Sequence, residues 1–111
     1  MKGTELGELE ELVLLVVALL YDDAYGISVM KEIESRADRK ISLSTAHVVL
    51  KRLESKGFLD SGYEEGDRQR EGRRKLLYRV TSKGKATLDQ VRNLRNSIWT
   101  DIPKVAFEHG K

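Results

Sequence analysis

Apolar positions recur at threes and fours from Leu6 to Leu20: Leu6, Leu9, Leu12, Val13, Val16, Leu19 and Leu20, with Leu15 and Val17 on the remaining faces. That spacing predicts a helix, and a helix apolar nearly all round has to be covered on more than one side. In a chain this short, one cover is the core and the other a second subunit; a central helix buried in a monomer is the plain alternative. The turn Y-D-D-A-Y-G over residues 21–26 follows. Ile27 to about Ala37 reads as a second helix opened by Gly26 or Ser28, with Ile27, Met30 and Ile33 as its inner stripe. Asp38, Arg39 and Lys40 make a polar connection, and Ile41 is expected to cross a strand edge as a single β-bridge residue.

The stretch S-L-S-T-A-H-V-V-L-K-R-L-E-S-K-G, residues 42–57, predicts the next helix. Ser42 suits an N-cap, because its hydroxyl accepts from an unpaired first-turn N–H. Gly57 suits the left-handed stop. Leu43, Ala46, Leu50 and Leu53 share one face, with Val49 at its edge. At about 100° per residue, Ser44, Val48, Lys51, Arg52 and Ser55 lie opposite, with Thr45 beside them and His47 at the border. Phe58, Leu59 and Tyr63 then form one arm of a hairpin and Leu76 to Thr81 the other. Between the arms lies a glycine-bounded tip, G-D-R-Q-R-E-G-R-R-K, with five basic residues against two acidic ones and no apolar residue. Thr81 caps a last helix carrying Leu88, Val91, Leu94, Ile98, Ile102 and Val105 at threes and fours, with Trp99 on the flank. Pro103 ends or kinks it near Ile102, since proline lacks an N–H and clashes with the preceding turn.

Helix, helix, helix, two-stranded wing, helix is the order of a winged helix-turn-helix. The expected fold is therefore mainly α (α+β), with a two-stranded β wing. Residues 1–82 are expected to form the DNA-binding domain. Residues 83–111 are expected to form a C-terminal dimerisation helix within the same compact unit. A projecting apolar seam wants a partner, and the same helix of a second copy is the simplest one. That places Leu9, Leu12, Val13, Val16, Leu88, Val91, Leu94, Ile98, Trp99 and Ile102 at a homodimer interface.

Composition narrows the classes. The 111 residues make one domain. The absence of cysteine removes disulfides, thiolate metal sites and thiol nucleophiles, which suits a reducing cytoplasm. The longest apolar run, Leu12–Leu20, is nine residues, against about 20 for a membrane span, and its acidic flanks make it a poor signal peptide. The net charge of +2 is unevenly spread: residues 1–24 carry one basic and six acidic groups, whereas residues 62–85 carry eight basic and four acidic. Clustered charge of that kind attracts a polyanion, although charged loops are commonly just solvated. The acidic start of the first helix reads as a solvated end that complements the helix dipole. With only His47 and His109, no phosphate-cradling loop and no telling acid–base pair, the sequence offers no enzyme site, no metal site and no cofactor motif.

L-G-E-L-E-E-L-V-L-L-V-V-A-L-L at residues 6–20, A-Y-G-I-S-V at 24–29, L-K-R-L-E-S-K-G-F-L at 50–59 and G-R-R-K-L-L-Y-R-V-T-S-K-G at 72–84 together resemble the PadR family of bacterial transcriptional regulators. The likeness runs to about Leu88 and is nearest to the short members with a single C-terminal helix. It implies a homodimer formed by the first and last helices. Such a dimer binds an inverted repeat in promoter double-stranded DNA, usually as a repressor, and in some relatives is released by small molecules. One departure stands in the third helix: the family usually has a tyrosine where this chain has His47, which can still donate to a phosphate oxygen but has less reach.

The expected DNA contacts follow. Ser44, Thr45, Val48 and Lys51 face base edges from a helix started by Ser42, with His47 and Arg52 nearer phosphates. Val48 has no hydrogen bond to give and suits a thymine methyl. Tyr25, in the family's Y-G motif, holds DNA backbone or else buttresses the turn. Arg68, Arg70, Arg73, Arg74 and Lys75 lie along the flanking backbone or minor groove. Some family members hold flat aromatic compounds between interface tryptophans, which makes Trp99 either the site of a small aromatic effector or an ordinary interface anchor. The rival class is a winged helix whose basic wing grips an acidic protein partner; RNA binding is a third option, poorly served by so few aromatic residues.

Overall fold

The structure, a computed structural model, describes residues 6–64 and 74–108. Four helices and one hairpin follow in order: α1 Glu8–Leu19, α2 Gly26–Ala37, α3 Leu43–Ser55, β1 Leu59–Tyr63, β2 Leu76–Val80 and α4 Ser82–Asp101, then a short 3-10 turn, Lys104–Phe107. This is a winged helix-turn-helix. No helix among the described residues is long and apolar enough to cross a membrane.

Each boundary has a local cause. Glu10 reaches back to accept from the Gly7 N–H at 2.8 Å, closing the open start of α1. The Ser28 hydroxyl does the same for α2, accepting from the Tyr25 N–H at 2.9 Å and donating to the Asp23 carbonyl at 2.7 Å. Ser42 caps α3 as expected, its Oγ accepting from the Thr45 N–H at 3.0 Å. Gly57 at φ +85° turns the chain out of α3 into the wing. Thr81 caps α4 by accepting from the Gly84 N–H, and α4 stops at Asp101, two residues before Pro103.

The wing is antiparallel, with Leu59 opposite Val80, Ser61 opposite Tyr78 and Tyr63 opposite Leu76. The outer edge of β2 is also engaged, because the Tyr78 N–H donates to the Ala24 carbonyl at 2.8 Å. The core lies between the three helices and the wing and is built from Val13, Leu14, Val17, Val29, Ile33, Leu50, Leu53, Phe58, Leu59 and Tyr78.

Several expectations shift in phase. The inner stripe of α2 is Gly26, Val29 and Ile33; Ile27 is 42% exposed and Met30 only half-buried. The helix starts at Gly26, so its i, i+3, i+7 row falls one position away from the Ile27–Met30 row. On α3, Val49 is in the core and Leu43 stands at the rim. Ile41 forms no bridge; it plugs the core edge between α2 and α3. Val13 and Val16, expected at a subunit interface, are consumed by the protomer's own core, and Val91 is buried where α4 packs back on the domain. A side chain without accessible surface offers none to a partner.

Tyr78 is also buried, and its hydroxyl has no hydrogen-bond partner among the described residues. Burial, with smaller contributions from Glu54 and Tyr63, pushes its pKa above that of an ordinary phenol. An unpaired buried hydroxyl costs stability, so Tyr78→Phe is expected to stabilise the fold by about 1 kcal/mol, or roughly 5 °C in Tm. A lower Tm in thermal unfolding would show instead that the hydroxyl is bonded.

Candidate nucleic-acid interface

The face of α3 turned away from the core is built as the helical wheel predicts. Ser44, His47, Val48, Lys51 and Arg52 are exposed, and Thr45 is half-buried beside them. Val48, at 54% exposure, is an apolar side chain in the middle of this polar surface. The hydroxyls at the start of α3 form one small network: Ser42 Oγ lies 3.1 Å from Ser44 Oγ and donates to Thr45 Oγ1 at 3.0 Å. A shallow cleft of about 290 Å3 runs along the α1 side of this face, lined by Leu9, Ser44, Thr45, Val48, Val49 and Arg52.

His47 leans toward the start of α2. A Cβ on Gly26 would stand 2.6 Å from its Cε1, so a larger residue there would oblige the exposed imidazole to swing aside. The ring thus lies between the two helices of the helix-turn-helix.

Aromatic rings hold the cations at the base of the wing, one of them at the start of α2. Lys75 Nζ sits 4.3 Å over the Tyr25 ring, Arg79 stacks 5.3 Å from Tyr21 and pairs with Asp22 at 2.9 Å, and Arg74 lies 5.5 Å from Tyr63. Each exposed cation–π contact is worth about 0.5–1 kcal/mol, enough to bias where a long side chain points. Tyr25 therefore acts as a platform for the base of the wing. Arg74 also donates to the Glu64 carbonyl oxygen at 3.2 Å, tying the wing base together. Arg68, Arg70 and Arg73 lie outside the described residues.

The acidic start of α1 goes beyond the sequence reading. Glu8 stays solvent-exposed and all three glutamates lie in the first turn, as expected, but they also form an ion-paired clasp in which each takes a cation from a different element. Glu8 binds Arg39 of the α2–α3 connection at 2.7 Å, and Glu11 binds Arg95 of α4 at 3.1 Å. Glu10, only 6% exposed, binds Lys56 Nζ at 3.0 and 3.2 Å, with Arg52 Nη1 at 3.7 Å. Burial alone would raise the Glu10 pKa, but the Gly7 N–H and then Lys56 and Arg52 outweigh it and hold the carboxyl below its ordinary value. A depressed carboxylate stabilises the fold above its unfolded-state pKa. This contribution is therefore whole at neutral pH and is lost as pH falls through the lowered folded-state value. The G-E-L-E spacing announces the cap at Glu10; nothing local announces its partners 42 and 46 residues on.

The surface left over includes an exposed apolar row on α4. Every residue from 92 to 101 is exposed, among them Leu94, Ile98 and Trp99. On α1, Leu15 and Leu19 are exposed, whereas Leu9 and Leu12 are half-buried; Leu88 and Ile102 are half-buried as well. Beyond Pro103 the 3-10 turn brings Phe107 to 6.1 Å from the Trp99 ring.

Known proteins resemble this chain over most of its length. An uncharacterized protein of Lysinibacillus sphaericus is 34% identical over 87 residues, covering 77% of this chain and 75% of that protein. The crystal structure of a PadR family transcription regulator from Clostridium difficile superposes with a TM-score of 0.70 at 26% identity, covering 85% of this chain and 93% of that one. A PadR family transcriptional regulator from Eggerthella lenta superposes with a TM-score of 0.65 at 27% identity, covering 90% and 87%. The model of the PadR-like transcriptional regulators matches residues 13–90, from the core of α1 through the helix-turn-helix and wing into α4, and the chain belongs to that family.

Proposed function

We propose that this chain is a homodimeric, sequence-specific DNA-binding repressor that reads an inverted repeat in a promoter. The observation that carries the reading is the exposed, hydroxyl- and cation-bearing face of α3 in a winged helix-turn-helix, with Lys75 of the wing seated on Tyr25 at the start of α2. The sequence between the two strands, residues 66–75, adds five basic residues against two acidic ones. In this reading α3 enters the major groove. Ser44, Thr45, Val48 and Lys51 meet base edges, His47 meets a phosphate at the helix-turn-helix junction, and the wing follows the flanking backbone. Phosphate contacts set register and salt dependence, and base contacts set preference. Because Val48 has nothing to donate and the hydroxyls of Ser42, Ser44 and Thr45 are partly engaged with one another, much of the preference falls to DNA shape and half-site spacing.

Two copies are joined in this reading along Leu15 and Leu19 of α1 and Leu94, Ile98 and Trp99 of α4. Trp99 serves as an interface anchor. A flat aromatic effector that releases the DNA would have the Trp99–Phe107 pair to stack on and would quench Trp99 fluorescence.

Electrophoretic mobility shift with the DNA upstream of the chain's own gene tests the reading. A shift that weakens steeply with salt, and that mixed-sequence DNA competes poorly, is the expected result. Binding indifferent to sequence and salt, or none, overturns it, and capture of an acidic protein partner in its place would favour the assembly-module reading.

A further inference from the structure

We propose that Glu10 is a positioning residue for DNA recognition: its buried carboxylate holds the Arg52 guanidinium against the protein, so that α3 meets the phosphates without it. This rests on the DNA-binding reading above and adds to it a residue that touches no DNA.

Arg52 is on the groove side of α3, one residue after Lys51, and its side chain is long enough to reach a flanking phosphate. Two features hold it back. Glu10 comes from the first turn of α1, faces the same side of α3 and lies 3.7 Å from Arg52 Nη1. Its carboxylate is almost without solvent, so it cannot trade protein partners for water as a surface glutamate can. Lys56 supplies one cation, and withdrawing Arg52 to a phosphate would leave the buried charge served by Lys56 and the Gly7 N–H alone. Removing one partner from a buried charged cluster is costly even where the cluster as a whole adds little. Lys51, by contrast, has no ion pair among the described residues and keeps its charge for DNA.

The consequence is a matter of selectivity. Every phosphate contact strengthens binding to all sequences alike, so withholding one raises the share of affinity that depends on bases and shape. Glu10 also fixes α3 to the first turn of α1, so the same carboxylate sets both the tilt of the reading helix and the number of its cations.

Salt dependence separates this from a purely structural role. Wild type, Arg52→Ala, Glu10→Gln and the double variant are titrated with a fluorescein-labelled mixed-sequence duplex by fluorescence anisotropy across a range of salt concentrations. Glutamine keeps the acceptor for Gly7 but not the charge. The slope of log K against log salt should be unchanged in Arg52→Ala, steeper by about 0.9 in Glu10→Gln, and back at the wild-type value in the double variant. A flatter slope in Arg52→Ala shows that Arg52 already contacts a phosphate and overturns the proposal. So does a folded Glu10→Gln with the wild-type slope. Should Glu10→Gln fail to fold, Arg52→Ala decides alone. A wild type without salt-dependent binding sinks the DNA-binding reading itself, and the proposal with it; a salt-dependent wild type with the wrong variant pattern sinks only the role of Glu10.

Discussion

Gly84→Ala should cost about 3 kcal/mol and lower Tm by roughly 15 °C, although alanine is the better helix former by about 1 kcal/mol. Gly84 lies in the first turn of α4, where the helix presses against the chain leaving α3. A Cβ there would stand 2.4 Å from the Phe58 carbonyl oxygen and 2.9 Å from Val80 Cγ1. The first obstacle is backbone, and that backbone is already committed, since the Phe58 carbonyl accepts from the Thr81 N–H at 3.0 Å. Neighbouring bonds fix the same junction: the Thr81 hydroxyl donates to the Gly57 carbonyl at 2.7 Å and Lys83 Nζ to the Lys56 carbonyl at 2.9 Å. Relief therefore requires α4 to lift away, which uncovers Phe58 and Leu59. Thermal unfolding followed by circular dichroism measures the loss; a Tm within a degree or two of wild type would mean that α4 is free to slide.

Ile98→Glu should leave the fold intact and abolish the dimer, reducing affinity for a two-half-site operator by about 10²–10⁴. Ile98 is 55% exposed in the protomer and belongs to no core cluster, so its replacement opens no cavity. In a two-fold interface the same patch faces itself, and one substitution places two carboxylates in one apolar seam. Analytical ultracentrifugation should find a monomer with the wild-type circular dichroism spectrum. A dimer that survives the substitution would place the interface away from α4, and a wild type that is itself monomeric would remove the dimer from the proposed function.

The helix ends and the wing could be read from residues because their causes are local. Ser42, Thr81, Gly57 and Pro103 each act within a few residues of where they stand. The phase of α2 could not, because Ile27, Val29, Met30 and Ile33 are all apolar, and any of three rows satisfies the period until the start at Gly26 is known. Val13 and Val16 show the same limit: past its acidic first turn α1 is apolar nearly all round, which asks for cover on several sides but does not say which side chain goes where. Of the candidate interface, the exposed face of α3 follows from its own wheel. The state of Arg52 and the platform role of Tyr25 do not, since Glu10 and Lys75 arrive from 42 and 50 residues away. The acidic start of α1 is legible only in part for that reason; three glutamates in a first turn satisfy the helix dipole by themselves, and only the fold shows that each also captures a distant cation.

In the proposed dimer the junction at Gly84 makes α4 a ruler. Hydrogen bonds pin the end of α3 to the start of α4, so in a dimer joined through α4 the distance between the two reading helices is written in the residues between Gly84 and Ile98. One inserted residue there would turn each reading helix by about 100° and shift it by about 1.5 Å, off a duplex whose half-sites repeat about every 34 Å. An insertion near a whole turn would nearly restore the angle, and the chain would then measure a longer operator.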